Sequence, residues 1–211
     1  MKTEDLIAAL AADAPRTGPR LDTVWAVALA CAGVLATAVF FGTIGPRADF
    51  WSAAQTVRFD FKFVLTGVLA VTSFLMLRAL AVPGANRPHW SVLALAPALG
   101  IGAVLLELFV LPAGAWQMAQ TGKNALVCLT YIPLIGLAPV GALILALRRG
   151  APTRPALAGG IAGLLAGGIA ATLYAAHCTD DSPLFVMTWY PIAIAMLVAL
   201  GAILGRIFAR W

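Results

Sequence analysis

ALAGGIAGLLAGGIAATLYAA, residues 156–176, decides the fold, because it continues for 21 residues without a charged side chain. A helix rises by about 1.5 Å per residue, so this stretch is long enough to cross the roughly 30 Å of hydrocarbon in a bilayer. Five further apolar windows of similar length occur at 24–44, 61–82, 92–110, 125–147 and 185–208. The sequence therefore predicts an all-α, polytopic membrane protein with a bundle of six transmembrane helices.

The composition excludes an ordinary soluble domain. Of the 211 residues, 62% are hydrophobic and only 11% are charged, whereas soluble domains carry about 25% charged residues. The breaks between the windows are dense in proline, glycine or charge, as turns between membrane spans are. The net charge of +5 suits anionic lipid headgroups, and we infer no direct nucleic-acid partner from it.

The positions of lysine and arginine predict the orientation of the bundle. Short loops rich in these residues stay on the cytoplasmic side of a membrane. If the N-terminus lies inside, ten of the fourteen basic residues fall on the inner face. We therefore expect both termini in the cytoplasm. The first window is a full span after a segment of mixed charge, so we expect it to stay in the mature chain.

The segment 1–21, which begins MKTEDLIAALAADAPR, has a pattern of its own and precedes the transmembrane domain at 22–211. It predicts a short amphipathic helix that must end before Pro15, with acidic residues such as Asp5 at its positive end. A helix of about ten residues is unstable alone in water, so its apolar stripe needs a partner. That partner is a protein or, alternatively, the membrane surface or the bundle. The stripe consists of Leu6, Ile7 and Leu10.

Two cysteines are predicted in one layer near the outer surface. Cys128 falls in the first turn of the fourth span, and Cys178 falls just past the outer end of the fifth. They form a disulfide if their Cα atoms lie about 4.4 to 6.8 Å apart. Alternatively, the two thiolates bind a thiophilic metal ion transiently, together with neighbours in HCTDDSP, namely His177, Asp180 and Asp181. The third interpretation is two unrelated thiols, with Asp181 or Ser182 as a helix cap.

Other polar and small residues in the spans have simpler expected roles. We expect Glu107, near the outer end of the third span, to pair with Lys62 or Lys123. Trp189 and Tyr190 are expected in the aromatic belt at the membrane surface. The fifth span has glycines at intervals of four, so a second helix can pack closely there, within the chain or in a homo-oligomer. These glycines are Gly159, Gly163 and Gly167.

Two stretches, MKTEDLIAALAADAPR at 1–16 and HCTDDSPLFVMTWYP at 177–191, resemble the NrsF family of proteobacterial membrane proteins, the negative regulators of sigma factor F. The resemblance implies a non-enzymatic anti-sigma factor in the bacterial inner membrane that needs no cofactor. It implies that the N-terminal segment, with Asp5 and the apolar stripe, holds an extracytoplasmic-function sigma factor. It also implies that Cys128 and Cys178 sense heavy metals or oxidants and release the sigma factor under stress.

Two other classes of protein fit parts of the sequence less well. A membrane thiol-disulfide oxidoreductase would need a reactive pair such as Cys-x-x-Cys, a spacing that the sequence lacks. A transporter of small molecules or ions would need polar groups near the middle of the membrane or paired broken helices, and the spans predict neither.

Overall fold

The computed structural model describes residues 3–13, 19–82 and 89–210, and within these residues the protein is helical. Six helical segments of this described part are long and apolar enough to cross a membrane, so the predicted all-α, six-span fold is confirmed. The helices are α1 (Thr3–Asp13), α2 (Leu21–Thr43), α3 (Phe50–Ala53), α4 (Val57–Ala81), α5 (Leu95–Val110, after a 3₁₀ turn at Trp90–Ala94), α6 (Trp116–Thr121), α7 (Ala125–Leu147), α8 (Pro155–Ala175) and α9 (Pro183–Phe208).

The six spans are α2, α4, α5, α7, α8 and α9, and they alternate in direction. At one end of the bundle, Arg78 pairs with Asp22, and the Ala151 N–H donates to the Ala81 carbonyl at 2.9 Å. We call this end, where α2 begins and α9 finishes, the terminal end. The opposite end carries Cys178 and is called the cysteine end. The orientation of the two ends across a membrane stays a prediction.

Helix α8 is the central span and packs against α9, α4, α7 and α2. Its small residues let the neighbouring helices approach closely. A Cβ atom added at Gly159 would lie 2.2 Å from the Gly201 carbonyl oxygen, and one at Gly163 would lie 2.1 Å from the Leu197 oxygen. A Cβ at Gly167 would lie 2.7 Å from the Ile194 side chain. The predicted glycine face therefore packs within the chain, against α9.

The structure describes the N-terminal helix α1 over Thr3–Asp13, inside the segment where the sequence predicts a short helix. Its first turn is acidic, and Leu6 and Ile7 are 42% and 61% exposed. The side chain of Leu10, the third residue of the predicted stripe, lies outside the described part of the structure, as does Pro15. The described part of the stripe thus presents apolar surface that the bundle does not cover.

Substituting Gly163 by alanine should destabilise the bundle by about 1–3 kcal/mol, because the new methyl group overlaps the backbone of α9. The matched control is Gly160→Ala in the same helix, where the nearest atoms would lie at an ordinary 3.7 Å. Thermal unfolding in detergent measures both variants. Equal melting temperatures for the two would contradict the close packing of α8 on α9.

Candidate functional site

Both cysteines of the predicted site are buried at the cysteine end. Cys128 lies in the first turn of α7, where its N–H donates to the Asn124 carbonyl at 2.8 Å. Cys178 lies in the loop 176–182 between α8 and α9, where its N–H donates to the Tyr174 carbonyl at 3.0 Å. Neither side chain is exposed, both are free thiols, and they lie within electrostatic range of each other.

Two tyrosines, Tyr174 and Tyr190, form a wall of this thiol cluster. Their rings lie 5.7 Å apart, and both phenols lie within electrostatic range of Cys128 and Cys178. Tyr190 is only 2% exposed, so its predicted place in an aromatic belt is wrong. Its hydroxyl has no hydrogen-bond partner among the described residues. The thiols therefore lie against two buried phenol rings, out of contact with bulk water.

Asp180 joins the loop to the helix that carries Cys128. Its Oδ2 atom accepts hydrogen bonds from the Lys123 N–H at 2.9 Å, the Asn124 N–H at 2.8 Å and the Asn124 side-chain amide at 2.9 Å. A carboxylate at this position caps the positive end of α7 and stabilises it. Gly122 lets the Asp180 carboxylate come this close to the start of α7, because a Cβ atom at residue 122 would lie only 2.8 Å from Oδ2. Its φ of +58° is also a backbone conformation that favours glycine. Asp180 thus acts as a helix cap supplied by another segment.

A buried lysine anchors the other side of the loop. Lys62 of α4 is fully buried, and its Nζ atom lies 2.5 Å from Asp181 Oδ1 and 2.9 Å from the Cys178 carbonyl oxygen. Arg47 reaches the same groups, at 3.1 Å from Asp181 Oδ2 and 3.3 Å from the Cys178 oxygen. The ring of Phe59 lies 5.0 Å from the ammonium and 5.8 Å from the guanidinium. Asp181 is therefore an ion-pair partner and not the cap of α9.

Glu107 of α5 supplies the cap of α9. Its Oε2 atom accepts hydrogen bonds from the Ser182 hydroxyl at 2.8 Å and the Leu184 N–H at 3.0 Å. Pro183 has no N–H, so Leu184 carries the first donor that α9 leaves unpaired. The predicted pairing of Glu107 with Lys62 or Lys123 is wrong. Glu107 lies 3.4 Å from Arg58 instead, because Asp181 already holds Lys62.

His177 ties the loop to the connection between α2 and α4. Its Nδ1 atom lies 2.9 Å from the Gly45 carbonyl oxygen, and the Arg47 N–H donates to the Ala176 carbonyl at 3.0 Å. Within the described residues, no group of three or more histidine, cysteine, aspartate or glutamate side chains is placed to hold a metal ion. The predicted metal neighbours His177, Asp180 and Asp181 each make a structural contact within the protein instead.

Burial controls the chemistry that Cys178 can perform. Burial raises the pKa of its thiol, and the nearby Lys62 ammonium opposes that rise. The neutral thiol is the poorly reactive form, so the closed loop protects Cys178 at neutral pH. A movement of the loop that admits water would restore its reactivity. The buried position of Cys178 thus links the reactivity of its thiol to the position of the 176–182 loop.

The sequence prediction missed four residues of this site. Lys62 was a detectable signal, because a lysine inside a span must find a partner or reach water. Arg47 stands in an ordinary turn, and tyrosines near the end of a span look like belt residues, so neither pattern indicated the site. The missed residues are Arg47, Lys62, Tyr174 and Tyr190.

Fold and site together define a class: a helical protein with six potential membrane spans, a thiol cluster buried under one loop, and a short helix with exposed apolar residues before the first span. The chain matches the NrsF family, described as negative regulator of sigma F, over residues 10–211. It belongs to this family, so the resemblance noted in its sequence is confirmed.

Two relatives match over the full length of both chains. The chain is 33% identical over 214 residues to the anti-sigma-F factor NrsF of Caulobacter vibrioides. It is 32% identical over 217 residues to the probable anti-sigma-F factor NrsF of Azospira oryzae. Both alignments cover 100% of this chain and of the relative. No solved structure matches the chain.

Substituting Lys62 by methionine should lower the free energy of unfolding by about 3 kcal/mol, because Asp181 and the Cys178 carbonyl lose a buried cationic partner. Lys123→Met is the matched control, since Lys123 is an exposed lysine at the same end and has no ion pair with a described residue. Thermal unfolding in detergent compares the two. A loss of stability as small as that of the control would show that Lys62 does not anchor the loop.

The raised pKa of Cys178 predicts a loss of stability in alkali. Below the ordinary thiol pKa of about 8.5 the folded and unfolded chains are both protonated, and the stabilising effect is complete. Above that pH the unfolded thiol ionises first, so the free energy of unfolding falls by up to about 1.4 kcal/mol per pH unit. We expect Cys178→Ala to lose this alkaline component and the exposed-site control Cys31→Ala to keep it. If the free energy of unfolding of wild type and Cys178→Ala falls equally as the pH rises, the prediction is wrong.

Proposed function

We propose that this protein is an anti-sigma factor of the bacterial inner membrane, which holds an extracytoplasmic-function sigma factor through α1 and releases it when Cys128 and Cys178 react. The full-length match to two proteins named as anti-sigma-F factors carries this proposal. The exposed apolar residues of α1 and the buried thiols give it a binding surface and a trigger in one chain.

The proposed sigma-binding surface is the apolar stripe of α1 with its acidic start. Leu6 and Ile7 are exposed, and a helix of this length is unstable in water without a partner. An amphipathic helix that lays its apolar face into a groove is a common mode of protein recognition. Asp5 in the first turn of α1 adds a charge that helps to orient the helix in such a groove.

The proposed trigger is a change at the thiol pair. A disulfide needs only the two sulfur atoms: each thiol loses a hydrogen, and the oxidant takes up both protons and both electrons. A thiophilic metal ion is the second candidate signal, and it would have to recruit further ligands after the loop opens. Either change displaces Cys178 relative to the start of α7, where Asp180 is bonded.

Transmission through the bundle uses the anchors of the 176–182 loop. To change a partner from 99% bound to 99% free requires about 5.5 kcal/mol of differential binding. Breaking one buried ion pair costs about 3–5 kcal/mol, and losing one helix cap costs about 1 kcal/mol. The Lys62–Asp181 pair and the Asp180 cap together therefore hold the resting packing by a free energy of this size, and the reaction at the thiols must supply the free energy that breaks them.

The test is capture of the host's extracytoplasmic-function sigma factors by the full-length protein in detergent. Leu6→Asp with Ile7→Asp should weaken capture by about a hundredfold or more, since each buried aliphatic side chain contributes about 1.5–3 kcal/mol. Ala8→Asp with Ala12→Asp adds the same charge on the opposite face of α1 and should leave capture intact. Equal capture by both double variants would remove α1 from the interface.

The same capture tests the trigger with the thiol oxidant diamide, which accepts the two hydrogens of the pair and becomes a hydrazine. Wild type should release the bound sigma factor, and Cys128→Ser with Cys178→Ser should retain it. Cys31→Ser is the control that should still release. If the double serine variant releases the sigma factor as wild type does, these thiols are not the trigger, although α1 can still be the binding surface.

A further inference from the structure

A groove on the lipid-facing side of the bundle runs between α2 and α7 at the terminal end, far from the thiol cluster. It has a volume of about 680 Å³. Its apolar wall is open, with Val27 57% exposed and Leu145 63% exposed. Residues that define it are Val27, Cys31, Leu35, Gly141, Leu145 and Arg149. None of the described residues fills it.

The groove has a positively charged end and an apolar wall that continues from it into the span. Arg149 stands at the terminal end, just past the end of α7, and forms no ion pair with any residue that the structure describes. Arg148 and Arg20 at the same end are also exposed. Further into the span the wall consists of aliphatic and small side chains. A guanidinium above an apolar channel matches a phosphate group above an acyl chain.

A second cavity shows what makes this groove distinct. It lies between α4, α5, α8 and α9, has a volume of about 310 Å³, and includes Leu65, Met187 and Pro191 in its wall. No lysine or arginine lines it. An acyl chain can enter it, but nothing in its wall selects a headgroup. The α2–α7 groove has both parts of an amphiphile-binding site.

We infer that the α2–α7 groove is a binding site for an anionic phospholipid, such as phosphatidylglycerol, with Arg149 on its phosphate and one acyl chain along Val27, Cys31 and Leu145. The site is independent of the proposed sigma-factor binding. It joins α2, the helix that follows α1, to α7, which carries Cys128 in its first turn, so a bound lipid sets the spacing of those two spans.

Native mass spectrometry of the full-length protein in detergent tests the site with phosphatidylglycerol and phosphatidylcholine of identical chains. Wild type should retain phosphatidylglycerol about fivefold more strongly, the ratio that corresponds to about 1 kcal/mol from one arginine near an anionic lipid surface. Arg149→Gln should abolish this preference. Arg206→Gln, an exposed arginine at the same end outside the groove, should keep it.

A second pair of variants tests the acyl part of the site. Gly141→Leu fills the groove and should reduce retention of both lipids at this site, whereas Gly67→Leu, at an equally open glycine on α4, should not. Equal retention of the two lipids by wild type would overturn the anionic assignment. Unchanged preference in Arg149→Gln, or unchanged retention in Gly141→Leu, would place the lipid elsewhere on the protein.

Discussion

Lys62 places an ammonium group inside a membrane-spanning helix, and the structure satisfies it with two groups of a single loop, the Asp181 carboxylate and the Cys178 carbonyl. Because an unpaired charge is costly in hydrocarbon, this contact fixes the position of the loop against α4. Once the loop is fixed, Cys178 faces the bundle core, and Asp180 reaches the start of α7. The burial of both thiols therefore depends on this one lysine, whose ammonium also opposes the rise in the pKa of Cys178.

Close packing of α8 on α9 complements the contacts of Lys62 with the 176–182 loop. The glycines of α8 leave backbone against backbone, so these two spans form a rigid pair that carries the 176–182 loop between them. Every other span meets that pair through a polar contact at the cysteine end. Glu107 joins α5 to it, Lys62 joins α4, Asp180 joins α7, and the Arg47 segment joins α2. Apolar packing thus holds the helices side by side, while hydrogen bonds fix the position of each helix along the bundle axis.

The six spans, their approximate ends and the shared depth of Cys128 and Cys178 could be predicted, because each follows from counting apolar residues along the chain. Partners of charged groups could not, since they depend on how each helix is rotated. Glu107 was expected to pair with a lysine. Instead its Oε1 atom lies beside Arg58, and its Oε2 atom caps the start of α9. Tyr190 had the sequence context of a belt residue, and only the rotation of α9 shows that it faces the thiols.

The cap that Glu107 provides to α9 also has a consequence for biosynthesis. A chain is made from its N-terminus, so α4, α5 and α7 are synthesised before the 176–182 loop exists. Until then Lys62, Glu107 and the N–H groups at the start of α7 lack the partners that this loop and the start of α9 supply. The α8–α9 hairpin completes the cysteine end in one step when it leaves the ribosome. A nascent chain that stops before this hairpin leaves the Lys62 ammonium inside a span without its carboxylate partner, which is a clear mark for membrane quality control.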